Sequence, residues 1–515
     1  MSGVPLAFPG AARTAFGQAP AVVTSDRTRP QMPSGIQIGD VLADRAVIWS
    51  RADRPARLVV EHSLRPDFGG AVKVRGPLAL ETSDYTARLD LTHLPADREV
   101  FVRVLFEDLS SGRARSAPLE GRLRTAPAAQ RNVTFLWSAD TAGQGYGINP
   151  DWGGMKTYET MRRVRPDFFI HCGDTIYADS PIAAEVQLDD GTVWSNIVTE
   201  ETSKVAESLR EFRGRYAYNL IDHNVCRFSS EVPQIWLWDD HEVMNNWSDG
   251  KDISRDVRYT EKNVQLLAGR ATRAFLEYVP MRYHGQDDAE RIYRRIPYGP
   301  LLDVFVLDLR SYRGANSYNR QQQPGPDTAF MGAAQHAWLK HELSQSKALW
   351  KVISSDMPIG LIVGDGSDAE HRPRFDAVAN GPGPVLGREF EYADLFRFIK
   401  GRRIRNVVWI TADVHYTAAH YYDPHNAQFQ DFDPFWEFVS GPLNAGGFGT
   451  SALDNTFGPQ VMFEKAPEAP NSPPSVGCQF FGQVDIDSET GGMTVTLKDV
   501  AGSSLYVKSL EPVRA

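Results

Sequence analysis

The 515-residue sequence predicts an α/β protein preceded by a β-sandwich, and three observations lead there. Between residues 34 and 126, short runs of alternating polarity are separated by turn residues. Farther on, the apolar runs are continuous, as in strands of a sheet covered on both faces. Those later runs end in Asp, His, Arg or Ser, with stretches of helical spacing between them.

Residues 1–33 are rich in Pro, Ala, Gly and Thr and read as an extended arm. From "SGIQIGDVLADRAVIWSR" to "GRLRTAP", the segments "RAVIWSR", "ARLVVEHS", "DYTARLDLTHL" and "EVFVRVLFED" have the period-2 pattern of strands. Several such strands in a row, with turns between, predict a sandwich of the immunoglobulin or fibronectin type over 34–126, although no Cys pair supports it. "TAPAAQR" is a linker, and residues 131–510 read as one α/β unit. In that unit "VTFLWSAD" is a strand, "GMKTYETMRRVRP" a helix and "PDFFIHCGD" the next strand. "PQIWLWDDHE", "LLDVFVLDLRSYR", "LWKVISSDMP" and "IRNVVWITADVHYT" repeat the strand pattern. Polar residues thus gather at the C-terminal ends of strands, where α/β folds place their sites. The segment from Phe480 to Leu510 reads as a hairpin and further strands added to the same core.

Composition narrows the function. A formal net charge of −10 with no block of Lys or Arg argues against long nucleic acid and anionic membrane as partners. Three scattered cysteines are too few for a disulfide framework or zinc knuckle and read as buried thiols. No apolar run is long enough to span a bilayer. The first twenty residues carry Pro and Gly where a signal peptide needs a continuous apolar core, so no signal peptide is visible. A phosphate-binding loop and a Ser nucleophile elbow are both missing from the sequence.

The strand ends carry the chemistry. Asp140 follows the first strand of the α/β unit, where capping a turn is its simplest role. Asp174 follows Gly173, which lets the backbone turn sharply before a carboxylate. Tyr177 taken alone reads as packing, and Asp179 as a turn residue. Asp239, Asp240, His241 and Glu242 directly follow an aromatic strand, and four ionisable groups there need a cation or water to compensate them. Asp413 and His415 alternate in an extended segment and share a face. Arg310 lies just past a strand end, from which its fork can engage two phosphate oxygens. Asp356 is a peripheral candidate for a metal or for structure. Together these strand ends suggest a two-metal hydrolase site with one bridging carboxylate.

"SADTAGQG", "GDTIYAD", "WDDHEVMNNW", "DLRSYRG" and "TADVHY", in this order, closely resemble the PhoD-type alkaline phosphatase family. That family also includes a secreted actinobacterial phospholipase D. The resemblance covers residues 34–510 and implies a metallophosphoesterase-like α/β/β/α core with a site pairing Fe³⁺ and Ca²⁺. It admits another divalent metal, Mn, Mg or Zn, at the second position. By resemblance Asp174 bridges the metals and Tyr177 is a phenolate on iron. Asn245 is an amide ligand on the calcium side, and Asp240 corresponds to the amide of the wider superfamily's Asn-His pair. Asp413 and His415 supply the remaining ligands. Asp140 stands where family members commonly place Cys, so a carboxylate replaces a thiolate. Arg282, in "EYVPMRYHG", resembles a phosphate-contacting Arg.

The expected reaction is in-line hydrolysis of small phosphate mono- or diesters by a metal-bound hydroxide. Arg310 would stabilise the equatorial oxygens and His241 protonate the leaving group, since Asp240 and Glu242 favour its charged form. A phospholipase D-type diesterase acting on lipid headgroups and a non-catalytic surface-binding protein are the alternatives. The resemblance further implies a periplasmic or secreted protein.

Overall fold

The structure, a computed structural model, describes residues 29–110, 114–283 and 288–514. Most of the arm expected over 1–33 lies outside the described residues. Two large sheets form the centre. One has nine strands, in the order Ser504–Leu510, Met493–Asp499, Phe480–Ile486, Val133–Ser138, Phe168–Cys172, Gln234–Leu237, Ile36–Gly39, Arg45–Arg51 and Thr86–Thr92. The other has seven: Arg294–Pro297, Leu302–Val306, Trp350–Ser354, Val407–Thr411, Phe435–Val439, Thr417–Tyr422 and Pro459–Lys465.

Side-chain alternation explains the layering. Phe135, Trp137, Phe168 and Ile170 of the first sheet share one core with Val304, Val306, Val352, Val408 and Ile410 of the second. Trp137 Nε1 crosses between the sheets to donate to the Thr411 carbonyl at 3.3 Å. On the outer side of the first sheet, Phe169 packs against Phe228, whose ring also meets Tyr158 of helix Lys156–Val164. On the outer side of the second, Phe305, Ile353 and Trp409 pack with Leu339, Tyr392 and Phe396 of helices Ala333–Gln345 and Glu389–Gly401. The result is the expected α/β/β/α sandwich. Strands buried on both faces are why the sequence runs were continuous and apolar.

The N-terminal β unit is built as a sandwich but is not freestanding. Ile38, Ile48 and Leu91 face Leu58, Val60, Val102 and Phe106 of a separate four-stranded sheet. Strand Ile36–Gly39 also pairs in parallel with Gln234 of the central sheet, so one face of the sandwich extends that sheet. Gly39 is required at the junction, because a Cβ there would overlap the Pro280 carbonyl. Among the described residues, no helix is long and apolar enough to cross a membrane.

Strands Val133–Ser138, Phe168–Cys172 and Gln234–Leu237 run parallel, as do Leu302–Val306, Trp350–Ser354 and Val407–Thr411. The polar residues flagged at their C-terminal ends therefore leave both sheets at corresponding ends, which is what assembles the site.

Candidate metal centre

Backbone conformation sets the site. Asp140 (φ 61°), Asp174 (φ 50°), Asp413 (φ 66°) and His415 (φ 59°) all occupy the left-handed region. That costs an L-residue about 1–3 kcal/mol and persists only where surroundings over-determine it. Here they do. The Asp140 carbonyl accepts from the amides of Leu443, Asn444 and Ala445 at 3.1–3.2 Å, while Thr141 N donates to Asp174 O at 3.0 Å. Glu242 accepts from the amides of Thr175 (2.6 Å), Asp239 (2.8 Å) and Asp174 (3.3 Å), clamping two strand ends together. Gly173, at φ 101°, has no room for a side chain, since a Cβ would sit 2.5 Å from that of Asp239.

Three groups of donor atoms result, each with its members within 4.8 Å of one another: Asp140, Asp174 and His415; Asp174, Asp240 and His241; Asp239, Asp240 and Asp413. Asp174 belongs to two of these groups, and so does Asp240. Tyr177 is buried beside the first, its hydroxyl 2.8 Å from His415 Nε2 and 3.4 Å from Asp140 Oδ1. Because the Gly446 carbonyl can only accept, His415 Nδ1 must donate to it, which leaves Nε2 as the lone-pair nitrogen facing Tyr177.

The donor set fits hard cations. Asp140 Oδ2, Asp239 Oδ2 and Asp240 Oδ1 are buried with no hydrogen-bond partner, an expensive arrangement unless an ion completes it. Burial, reinforced by the neighbouring carboxylates, pushes Asp140, Asp174 and Asp239 well above the usual carboxylate range and Asp413 up to about 7. Burial and the same anions push the Tyr177 phenol up as well. Carboxylates, one phenol and imidazole at close quarters form an oxygen-rich set suited to hard metals rather than a thiolate site.

His241 packs 4.3 Å from the Tyr177 ring, and its Nδ1 lies 2.6 Å from Asp179 Oδ1. Burial alone would depress its pKa, but Asp179, Asp240 and Asp174 outweigh that and hold it well above the ordinary value. Asp179 is itself fixed by the Asn245 amide on its other oxygen, at 3.0 Å. It lies in the turn expected of it, closed by Ser180 N on the Tyr177 carbonyl at 3.2 Å, and its side chain also positions His241. Its sixty-two-residue separation from His241 leaves no local signal in the sequence.

Three expectations come out differently. Arg310 is turned inward and is only 1% exposed. Its guanidinium meets Asp239 at 2.6 Å, Asp376 at 2.9 Å and Asp356 at 3.1 Å, so it is a counter-charge beneath the cluster rather than a fork offered to phosphate. Its Nη2 also lies 3.9 Å from Asp413 Oδ1 at the edge of the donor set. Asp356 is tied to this network through Oδ2 while its Oδ1 is buried without a partner, and Asp376, which nothing in its sequence context singled out, joins it. Arg282 does not reach the cluster: it pairs with Asp90 at 3.1 Å and donates to the Asp40 carbonyl at 3.0 Å, at the junction with the N-terminal sheet. The Asn245 side chain is exposed at the rim, and its backbone, not its amide group, makes the contact described.

The sequence model described as PhoD-like phosphatase matches residues 135–497, and that of the PhoD-like phosphatase N-terminal domain matches 17–127. Alkaline phosphatase D of Bacillus subtilis (strain 168) is 26% identical over 450 residues, covering 82% of this chain and 71% of that protein. A solved structure of PhoD superposes with a TM-score of 0.70 at 20% identity, covering 94% of this chain and 90% of that one. Purple acid phosphatase PPD1 from yellow lupin (Lupinus luteus) seeds gives 0.58 at 12% identity, covering 92% and 74%. These two likenesses agree with the two-sheet core. With the family's catalytic model spanning most of its length, the chain belongs to the PhoD-like phosphatase family.

Proposed function

We propose that this chain hydrolyses small phosphate esters at a two-cation centre, with Fe³⁺ held by Asp140, Asp174, Tyr177 and His415. Ca²⁺, or another divalent cation such as Mn, Mg or Zn, would be held by Asp174, Asp240 and Asp413. The observation that carries the reading is the sharing of Asp174 between two donor groups that also contain buried, unpartnered carboxylate oxygens. Such cations, when bound, supply Lewis acidity that eases deprotonation of water and neutralises phosphoryl charge.

The chain's own residues divide the remaining work. His415, its Nδ1 proton committed to Gly446, keeps Nε2 for ligation, and the glycines around Tyr177 and Gly173 hold the strand ends in close contact. His241 is held charged and oriented by Asp179, so its Nε2 proton is available to a departing alkoxide. Arg310 lowers the cost of burying Asp239, Asp356 and Asp376 and so preserves the carboxylate set. The reading assigns catalysis to residues 131–510 and gives 34–126 a supporting role. Diester and lipid-headgroup substrates fall within its scope, and comparing matched mono- and diester chromogenic substrates ranks them. It also expects export, tested by fractionating the native host.

Elemental analysis with a visible absorption spectrum tests the centre. An iron-bound tyrosinate gives a charge-transfer band, which Tyr177→Phe should abolish while leaving far-UV circular dichroism unchanged. Iron-free, colourless protein with full activity would rule out the iron assignment.

A further inference from the structure

At the far end of the second sheet lies a cavity of about 690 Å³ that the metal centre does not use. Its walls come from residues just before or at the start of strands Leu302–Val306, Trp350–Ser354 and Val407–Thr411. The same three strands deliver Arg310, Asp356 and Asp413 at their other ends, so a strand length of about 17 Å separates the two places. The cavity volume is in the range of small-molecule sites, about 300–1,000 Å³.

Its charge is unlike the rest of the molecule. Lys347, Lys351, Arg402, Arg403, Arg405 and Arg514 line it, against one acid, Glu489, in a chain of net charge −10. Arg405 is paired with Asp433 at 2.7 Å, and Arg514 donates to the Thr490 carbonyl. Among the described residues, Lys347, Arg402 and Arg403 have no carboxylate within ion-pair distance, and Arg402 lies 5.7 Å over the Phe398 ring. Lys351 is 9% exposed, and its ammonium makes one described hydrogen bond, to the Ala348 carbonyl at 2.7 Å. An ammonium has three donors, so the cavity contains a buried cation with donor capacity left over. Like charges gathered around a concavity repel one another, and focusing of their field makes an anion the natural complement.

We propose that this cavity is a second, non-catalytic site for a compact polyanion bearing several phosphate or sulfate groups. A single phosphate would neutralise only part of the set, whereas several clustered anionic groups match cations on opposite walls.

Inositol hexasulfate, which a phosphatase cannot hydrolyse, is the probe, titrated calorimetrically into the full chain at low ionic strength. The expected result is one-site binding that weakens steeply with salt. Lys347→Glu/Arg403→Glu should lower affinity by about tenfold or more, the scale of losing two exposed charge contacts and gaining two repulsive ones. Phosphatase activity should be unchanged in that variant, which also checks folding. Asp174→Asn should bind the probe as the parent does. Absence of binding, equal affinity in the charge-reversed variant, or loss of binding in Asp174→Asn would each overturn the proposal, the last by placing the anion in the metal centre.

Discussion

Replacing Arg310 separates two roles that predict different outcomes. Arg310→Met keeps much of the apolar volume but removes the guanidinium that meets Asp239, Asp356 and Asp376 together, leaving Arg313 paired with Asp376 alone at 3.2 Å. Breaking a buried ion pair by deleting one partner costs about 3–5 kcal/mol. The cost should not triple with three partners, because carboxylates left without a cation take up protons instead, at about 1.4 kcal/mol per pKa unit. A loss of about 3–5 kcal/mol corresponds to a fall of roughly 5–15 °C in melting temperature on the scaling of large domains. The loss should also depend on pH. With the cation gone, the folded protein binds more protons than the unfolded chain, so the variant's stability falls as pH rises. Thermal unfolding with chelator present, at mildly acidic and alkaline pH, measures both effects without involving metal or substrate. Arg310→Lys, which keeps the charge but not the fork, should fall between parent and Met variant. An Arg310→Met protein that melts like the parent and differs only in a raised KM would refute the counter-charge role and restore the phosphate-binding one.

Asp179→Asn should weaken the hold on the charged form of His241 and slow esters with poor leaving groups by about 10²-fold or more; nitrophenyl esters should suffer far less, and equal losses on both would exclude proton donation by His241. Gly441→Ala places a Cβ against Asp140 Oδ2, so elemental analysis should find reduced metal occupancy in a protein that still folds; full occupancy would show that Asp140 is not a ligand. Burial and the nearby Asp454 raise Glu389 from 4.5 to about 8. Its neutral folded form therefore contributes stability below the unfolded pKa that is lost as pH climbs toward the folded one. Glu389→Gln should flatten denaturant-measured stability between those two pH values, and an unaltered slope would assign the pH dependence elsewhere.

The carboxylate- and imidazole-bearing strand ends were legible because each combines two local signals. A continuous apolar run says that a strand is buried on both faces, and an abrupt Asp or His at its C-terminal end says where the chain leaves the sheet. "HCGDTIYAD", "WDDHE" and "ADVHY" each carry both, and all three converge in space as their pattern implies. Tyr177 needed more than its own surroundings: by period and polarity it is a core residue, and it is in fact 1% exposed. Only its hydroxyl, 2.8 Å from His415, distinguishes it from packing, and family resemblance supplied that distinction in advance.

The residue sequence alone therefore determined an α/β core of strands covered on both faces, the β-rich N-terminal unit and the strand ends that hold the carboxylates, because each depends on periodicity within a few residues, whereas the α/β/β/α layering was implied by the family resemblance. Tertiary structure decided what those side chains face. It turned Arg310 inward onto three acids and tied Arg282 to Asp90. It drew Asp179 to His241 and joined strand Ile36–Gly39 to the central sheet. Each of these is a contact between segments distant in the chain. An arginine or aspartate has the same local pattern whether it meets a substrate or a buried counter-ion, and only packing brings the partner that settles which.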